Sequence, residues 1–324
     1  MSEERPASAL RRRALGNTGL NVGEIGFGAW AIGGGARLGD KAFGYGDTDD
    51  QASLAALARA FELGVNLVDT ADSYGHGHSE LLVGKAIRQA PRRVFVATKV
   101  GAVRRDPEPP RKDFSPAYIE QACERSLHRL GVTGIDLYQL HNPPREVIED
   151  PAVWNALREL KDKGRIHHYG ISIGRPDEGL LAIEKGEVET IQVVYNLLER
   201  EAAEKLFAKA ERHGVGLIVR VPLASGLLSG AYKPGHVFAE NDHRRDKYPP
   251  DRLARALERV EKLAFLARGA GRTPAQAALK FCLVPDAVSV VIPGAKTAKQ
   301  VEENVSAASA PDITAEELQR ILEV

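Results

Sequence analysis

Cysteine is nearly absent: only Cys123 and Cys282 occur in 324 residues, far apart and each inside a helix-like apolar pattern. That excludes a disulfide framework or a cysteine metal site, and predicts two buried, reduced thiols in a cytoplasmic protein. Charge of one sign is lacking too. Lys+Arg and Asp+Glu both number 44, a formal net charge of zero, which argues against a nucleic-acid footprint or a basic membrane patch. No apolar run reaches the ~18 residues of a membrane span. The opening MSEERPASALRRRAL has no apolar stretch of the secretory kind. Residues 1–9 are expected to be a flexible tail, and Arg11–Arg13 a solvated strand edge rather than a targeting signal. His76 and His78 lie between glycines with no third ligand nearby, so no metal site is expected.

What the chain does contain is regular alternation. Short Val- and Ile-rich runs predict strands at Ile25–Gly28, Asn66–Asp69, Val94–Thr98, Leu137–Leu140, His168–Ser172, Thr190–Val194, Gly216–Arg220 and Ser289–Ile292. Apolar spacings of three and four between them predict helices near 50–63, 79–89, 116–130, 151–163, 177–185, 201–213, 252–268 and 274–283, with two more after the last strand at 298–308 and 314–322. Gly64, Gly164 and Gly214 stand where helix C-terminal glycines belong, and Ser115-Pro116 and Asp150-Pro151 read as helix starts. Eight strand–helix units in one domain spanning 1–324 predict an α/β fold, a (β/α)8 TIM barrel. The rival, an open doubly wound sheet, needs G-x-G-x-x-G after its first strand; Gly26-Phe27-Gly28-Ala29-Trp30-Ala31 breaks that spacing. Two segments fall outside the alternation. LGNTGL predicts a β-hairpin turn at Asn17–Gly19 that plugs the bottom of the barrel. Residues 229–250, rich in Gly, Pro and charge, form a long excursion after the seventh strand and predict a lid, with Arg244 or Arg245 as a charge partner for a pyrophosphate.

Barrel active sites lie at the C-terminal ends of the strands. There the second strand ends in Asp69, the third in Lys99, the fourth at His141 and the fifth in Ser172; the sixth contains Gln192, and Tyr74 follows Asp69 on the same loop. These residue types have a joint chemical logic. A phenol, with a pKa of about 10, is a poor acid at neutral pH. An ammonium beside it favours the phenolate, a carboxylate holds that ammonium charged, and an imidazole donates to a substrate oxygen. Such a set suits protonation of a carbonyl oxygen. Trp30, just past the first strand, is placed in the wall of the substrate pocket, and His167-His168 at the bottom of the fifth strand is read as structural.

VDTADSYG, SELLVGKAI, ATKVG, LHN, GISIG, IQVVYN, IPGAK and EEN occur in that order between about residues 10 and 310. In this the sequence resembles the aldo-keto reductase superfamily. The resemblance implies a (β/α)8 barrel and NADPH-dependent reduction of an aldehyde or ketone, with a catalytic tetrad Asp69, Tyr74, Lys99 and His141 and Tyr74 as general acid. It places Trp30, Tyr74 and His141 against the substrate. It implies cofactor contacts from Gly28, Ala29, Trp30, Asp69, Ser172, Gln192, Arg220, Pro222, Leu223, Gly226, Leu228, Ile292, Gly294, Lys296, Gln300, Glu303 and Asn304, with Ala295 on the same adenosine-binding stretch. Three positions depart from the family pattern: Ile173 replaces an Asn that grips the carboxamide, Arg220 stands where many members stack an aromatic ring, and Gln300 stands where some have Arg. Arg220 can stack its planar guanidinium on the nicotinamide, and Lys296 can supply the cation for a 2′-phosphate, which favours NADPH over NADH. The alternatives are a nonenzymatic NADPH-binding subunit like the potassium-channel β subunits, and an NAD-linked alcohol dehydrogenase. A small carbonyl compound is the expected partner, with no nucleic acid and no membrane, in a monomer or a homo-oligomer.

Overall fold

The computed structural model describes residues 10–38, 41–103, 111–185 and 188–324. Its centre is eight parallel strands: β1 (Phe27–Gly28), β2 (Leu67–Asp69), β3 (Phe95–Val100), β4 (Ile135–His141), β5 (Ile166–Ser172), β6 (Thr190–Val194), β7 (Gly216–Arg220) and β8 (Val288–Val291). Each strand pairs with its neighbour in sequence. The ring closes between its ends: Gly26 N donates to Val291 O at 2.8 Å and Gly28 N to Pro293 O at 3.0 Å. All seven residues of β4 and the last five of β3 are buried, which is why these strands read as apolar runs rather than as alternating patterns.

Helices cover the outside. They are α1 (Asp50–Glu62), α2 (His78–Ile87), α3 (Pro116–Leu130), α4 (Pro151–Asp162), α5 (Pro176–Glu184), α6 (Ala208–Arg212), α7 (Pro250–Lys262), α8 (Pro274–Leu283), α9 (Ala298–Ser306) and α10 (Ala315–Leu322). Ser115, Asp150 and Thr273 accept bonds from the first turns of α3, α4 and α8, each beside a proline at the helix start. Two expected helices are altered. The stretch 201–213 carries a π turn at Ala203–Phe207, wide enough for the adjacent Leu206 and Phe207 both to be buried. The stretch 252–268 ends its α-helix at Lys262 and goes on as a 3-10 turn, Ala264–Leu266. Short antiparallel pairs at Ala36–Leu38 with Lys41–Phe43 and Ala102–Val103 with Arg111–Lys112, and a short helix at Arg145–Glu149, sit in loops with no periodicity to reveal them. No helix among the described residues is long and apolar enough to cross a membrane.

The N-terminal hairpin pairs Arg12–Ala14 with Asn21–Gly23 around a turn at Gly16–Thr18, closed by Gly19 at φ 78°. It seals the barrel floor. Leu15 and Val22, both fully buried, pack with Leu67, Ala97, Leu137, Ile218 and Val290. Arg13 is not the solvated residue the sequence implies. Its guanidinium donates to Val288 O at 2.8 Å and Leu283 O at 3.0 Å and pairs with Glu24. Folding the hairpin under the barrel brings this cation to the carbonyl-rich end of α8, where positive charge is favoured. The expected tail, residues 1–9, lies outside the described residues.

The inward positions form two layers. The lower is apolar: Leu67, Ala97, Leu137 and Ile218. Two residues further along each strand, on the same face by the period of two, stand Asp69, Lys99, Gln139 and Arg220. A dry floor therefore sits directly beneath a polar layer at the C-terminal mouth.

Candidate active site

Each polar residue of the upper layer is fixed by its strand. Asp69 ends β2 and Lys99 lies on β3, where both side chains are buried. Lys99 Nζ donates to Asp69 Oδ2 at 2.6 Å, to Thr70 O at 2.9 Å and to the Tyr74 hydroxyl at 3.1 Å. All three donors of the ammonium are used. Burial works against its charge, but the Asp69 carboxylate and the Tyr74 hydroxyl outweigh it and hold the lysine pKa above the ordinary value. Tyr74 arrives on the loop after β2, anchored by Tyr74 N to Ala71 O at 3.1 Å and followed by Gly75 and His76 in left-handed backbone. Gly75 has no room for a side chain: a Cβ there would lie 1.8 Å from Gly33 O. His141 ends β4. Its ring meets that of Tyr74 edge-on with centroids 5.8 Å apart, and Ser73 Oγ lies 3.5 Å from its Nδ1. The four tetrad residues predicted from the sequence thus converge on one spot.

Around them lies the rest of the layer. Gln192 Nε2 donates to Asp69 Oδ1 at 2.7 Å, and Ser172 Oγ donates to Gln192 Oε1 at 3.3 Å. Gln139, not anticipated as a site residue, donates to the same Asp69 oxygen at 3.2 Å. A lone glutamine inside the apolar run LYQLH was the signal for it. Arg220 ends β7, with Nη2 on Ile173 O at 2.9 Å and on Asn142 Oδ1 at 3.4 Å; its buried Nε has no acceptor. Burial lowers its pKa. Ile173 faces away from the mouth, fully buried and packed toward Gly179 of α5, so this position serves helix packing rather than the cofactor grip.

Trp30 forms one wall, in tilted ring contact with Tyr45 (4.9 Å), His243 (4.7 Å) and Tyr74 (6.1 Å). Tyr45 and His243 come from two loops whose sequences show no periodicity, and they were not predicted. Burial pushes the Tyr45 phenol up to about 12 and the His243 imidazole down. The 229–250 segment is packed rather than loose. Arg244 stands over the rings of Tyr45, Phe238 and Tyr232 at 4.5, 4.9 and 5.6 Å and donates to the Tyr232 hydroxyl at 2.6 Å. Arg245 instead pairs with Glu240 on the surface.

The remaining predicted positions ring the mouth on the β7–β8 side. Beyond Arg220, the turn holding Pro222, Leu223, Gly226 and Leu228 has positive φ at Val221 (56°), Ala224 (47°), Ser225 (59°) and Gly226 (95°). A β-branched residue in that region is strained, and such strain gathers at binding sites. Gly28 and Gly294 bridge β1 and β8; a Cβ on Gly28 would lie 2.8 Å from Ile292 O. Ala29 O accepts from Ser79 Oγ at 2.8 Å. Lys296 Nζ donates to Tyr45 O at 2.5 Å and Asp47 O at 3.0 Å, while its backbone N–H donates to Gln300 Oε1 at 2.7 Å. Glu303 accepts from Thr273 Oγ1, and Asn304 Nδ2 donates to Gly294 O at 3.4 Å. His78 pairs with Asp50 at 2.7 Å and His168 with Glu189 at 3.0 Å. No metal-binding cluster occurs among the described residues. Cys123 and Cys282 are both buried free thiols.

Known proteins share this fold. The model of the Aldo/keto reductase family matches residues 24–324. The chain belongs to that family. It is similar to an uncharacterized oxidoreductase, YqkF, of Bacillus subtilis, 33% identical over 96% of this chain and 95% of that one. The NADH-specific methylglyoxal reductase of Escherichia coli is 30% identical over 92% and 93%. Among solved structures, the holo form of an aldo-keto reductase from Bacillus halodurans superposes with TM-score 0.78 at 33% identity, covering 97% of this chain and 96% of that one. The glycerol dehydrogenase of Gluconobacter oxydans gives TM-score 0.81 at 29% identity, covering 96% and 94%. As an aldo-keto reductase the protein is an NAD(P)H-dependent oxidoreductase on a (β/α)8 barrel. The residues at the mouth fit a nicotinamide dinucleotide: Ser172 and Gln192 offer a hydroxyl and an amide side by side, and Arg220 has a buried N–H without an acceptor.

Proposed function

We propose that this protein reduces the carbonyl group of small aldehydes or ketones to alcohols, using NADPH, with Tyr74 as the proton donor. The observation that carries the reading is the Lys99 ammonium, buried between the Asp69 carboxylate at 2.6 Å and the Tyr74 hydroxyl at 3.1 Å. The bound cofactor supplies a hydride to the carbonyl carbon. Tyr74 Oη gives its proton to the carbonyl oxygen, and Lys99 stabilises the phenolate charge left on Tyr74 Oη. Asp69 keeps Lys99 charged and aimed. His141 orients the carbonyl through a ring hydrogen bond, with Trp30 as the opposite wall. Ser172 and Gln192 are the proposed carboxamide grip, and Arg220 a flat cationic face beneath the ring.

The preference for NADPH rests on Lys296 and on the N-terminus of α9, which Thr297 caps. Lys296 has given two donors to Tyr45 and Asp47, leaving a third for a phosphate oxygen. Relatives divide on this point, one being named for NADP(+) and another as NADH-specific. Residues 229–250, held by Arg244, are the proposed lid, the whole chain is proposed as one domain, and the two free thiols suit a cytoplasmic setting.

Fluorescence titration with NADPH and NADH, followed by a panel of aldehydes and ketones, tests the reading. Tight NADPH binding and consumption with at least one carbonyl compound are expected. Tight binding with no turnover across a broad panel favours a nonenzymatic subunit instead. Tyr74→Phe is expected to lower kcat by about 10²–10⁴-fold with cofactor affinity near wild type; normal turnover in that variant would overturn Tyr74 as the acid.

A further inference from the structure

Gln139 is fully buried in the barrel, one step above the apolar floor residue Leu137. A buried primary amide is costly unless its groups are bonded, and a leucine would fill this position without that cost. Its register partner on β3 is Lys99. Both ends of its amide are engaged with site residues: Nε2 donates to Asp69 Oδ1 at 3.2 Å, and Oε1 accepts from Gln192 Nε2 at 3.4 Å.

The consequence falls on Gln192. Its Nε2 carries two hydrogens, one directed to Asp69 Oδ1 and the other to Gln139 Oε1. Its Oε1 is thereby turned to Ser172. Flipping the Gln192 amide would put oxygen against the Asp69 carboxylate and against the Gln139 carbonyl, two repulsions in a buried, low-dielectric place. Asp69 alone anchors only one of the two hydrogens. With Gln139 as well, the amide is locked in one orientation.

We propose that Gln139 is a positioning residue that locks the Gln192 amide, so that one network aims both the proton-donating pair Lys99–Tyr74, through Asp69, and the nicotinamide grip at Gln192 and Ser172. This rests on the carbonyl-reductase reading above. The role is indirect, because Gln139 is fully buried and acts through Asp69 and Gln192.

Gln139→Met, similar in volume but without an amide, is the test. NADPH binding followed by fluorescence, without turnover, is expected to weaken about fivefold to tenfold, the effect of one lost hydrogen bond. In a double-mutant cycle with Gln192→Met, the double variant is expected to bind NADPH no more weakly than Gln192→Met alone. Additive losses, or wild-type affinity in Gln139→Met, overturn the proposal. A merely structural role predicts a lowered melting temperature with affinity unchanged at a temperature where the variant is folded, and overturns it as well. If the wild-type protein binds no nicotinamide cofactor, the proposed function fails. The lock is then decided on the cofactor-free protein by the side-chain amide NMR signals of Gln192. Persistence of two slowly exchanging hydrogens in Gln139→Met sinks it; loss of one supports it.

Discussion

Lys99 is an ammonium with no exposed surface, held by one carboxylate, one carbonyl and one phenol. Nearby stands a half-buried carboxyl group outside the tetrad. Asp72, two residues before Tyr74, has a buried Oδ1 without a hydrogen-bond partner. Burial, with the Glu80 carboxylate adding to it, pushes Asp72 up to about 8. Glu80 is itself committed to Thr98 and Arg129, each at 2.6 Å. An unfolded aspartate loses its proton near pH 4, while folded Asp72 keeps it to about pH 8. The folded state therefore binds more protons between those values, and stability falls as pH rises through that window. Asp72→Asn removes the titration while keeping the shape. Its gain in melting temperature over wild type is expected to grow from pH 4 to 8 and then level; a gain independent of pH would show that Asp72 does not hold the proton. At this scale the sequence was most legible. Asp69, Lys99 and His141 were named because they end strands at the mouth, Tyr74 because it follows Asp69 on the same loop, and the four as a set because of the family resemblance. Gln139 was not: the period of two puts it on the face of His141, but its partners stand on other strands and leave no mark in its own.

Elements show where legibility ends. Strands and helices with strong periodicity stand within a few residues of expectation, because burial on both faces and amphipathic spacing leave direct marks in the sequence. The loops that shape the pocket leave none. Tyr45 and His243, far apart in the chain, meet 4.9 Å apart beside Trp30. The 229–250 segment is ordered by Arg244, which combines three ring contacts with bonds to Asp242 and Tyr232. Each ring contact contributes about 0.5–1 kcal/mol. Arg244→Ala is expected to make this segment several-fold more sensitive to limited proteolysis and to weaken NADPH binding, with the global melting temperature little changed. Cleavage at the wild-type rate would mean that the segment is held by other contacts.

Across the whole molecule, one continuous apolar core lies between barrel and helices, and a second, smaller cluster fills the barrel floor. Leu15 of the hairpin is fully buried in that floor. Leu15→Ala is expected to cost about 2–5 kcal/mol in denaturant unfolding, the usual range for an unrelaxed core cavity. Cofactor affinity should stay near wild type, since the floor is at the end opposite the mouth. A loss below about 1 kcal/mol would show that the hairpin does not seal the barrel.

By itself the sequence determined the period of each element, the count of strand–helix units and the residues that end the strands, because these follow from local spacing along one chain. It also determined that the hairpin has a glycine-closed turn. Only the tertiary structure decided which polar groups share a hydrogen. Ring closure brings Asp69, Gln139 and Gln192 from three strands to one carboxylate oxygen, turns Arg13 from solvent to the carbonyls of Leu283 and Val288, and turns Ile173 from the mouth to a helix. Each depends on where residues distant in sequence stand once the sheet has curled, and no local pattern encodes that distance.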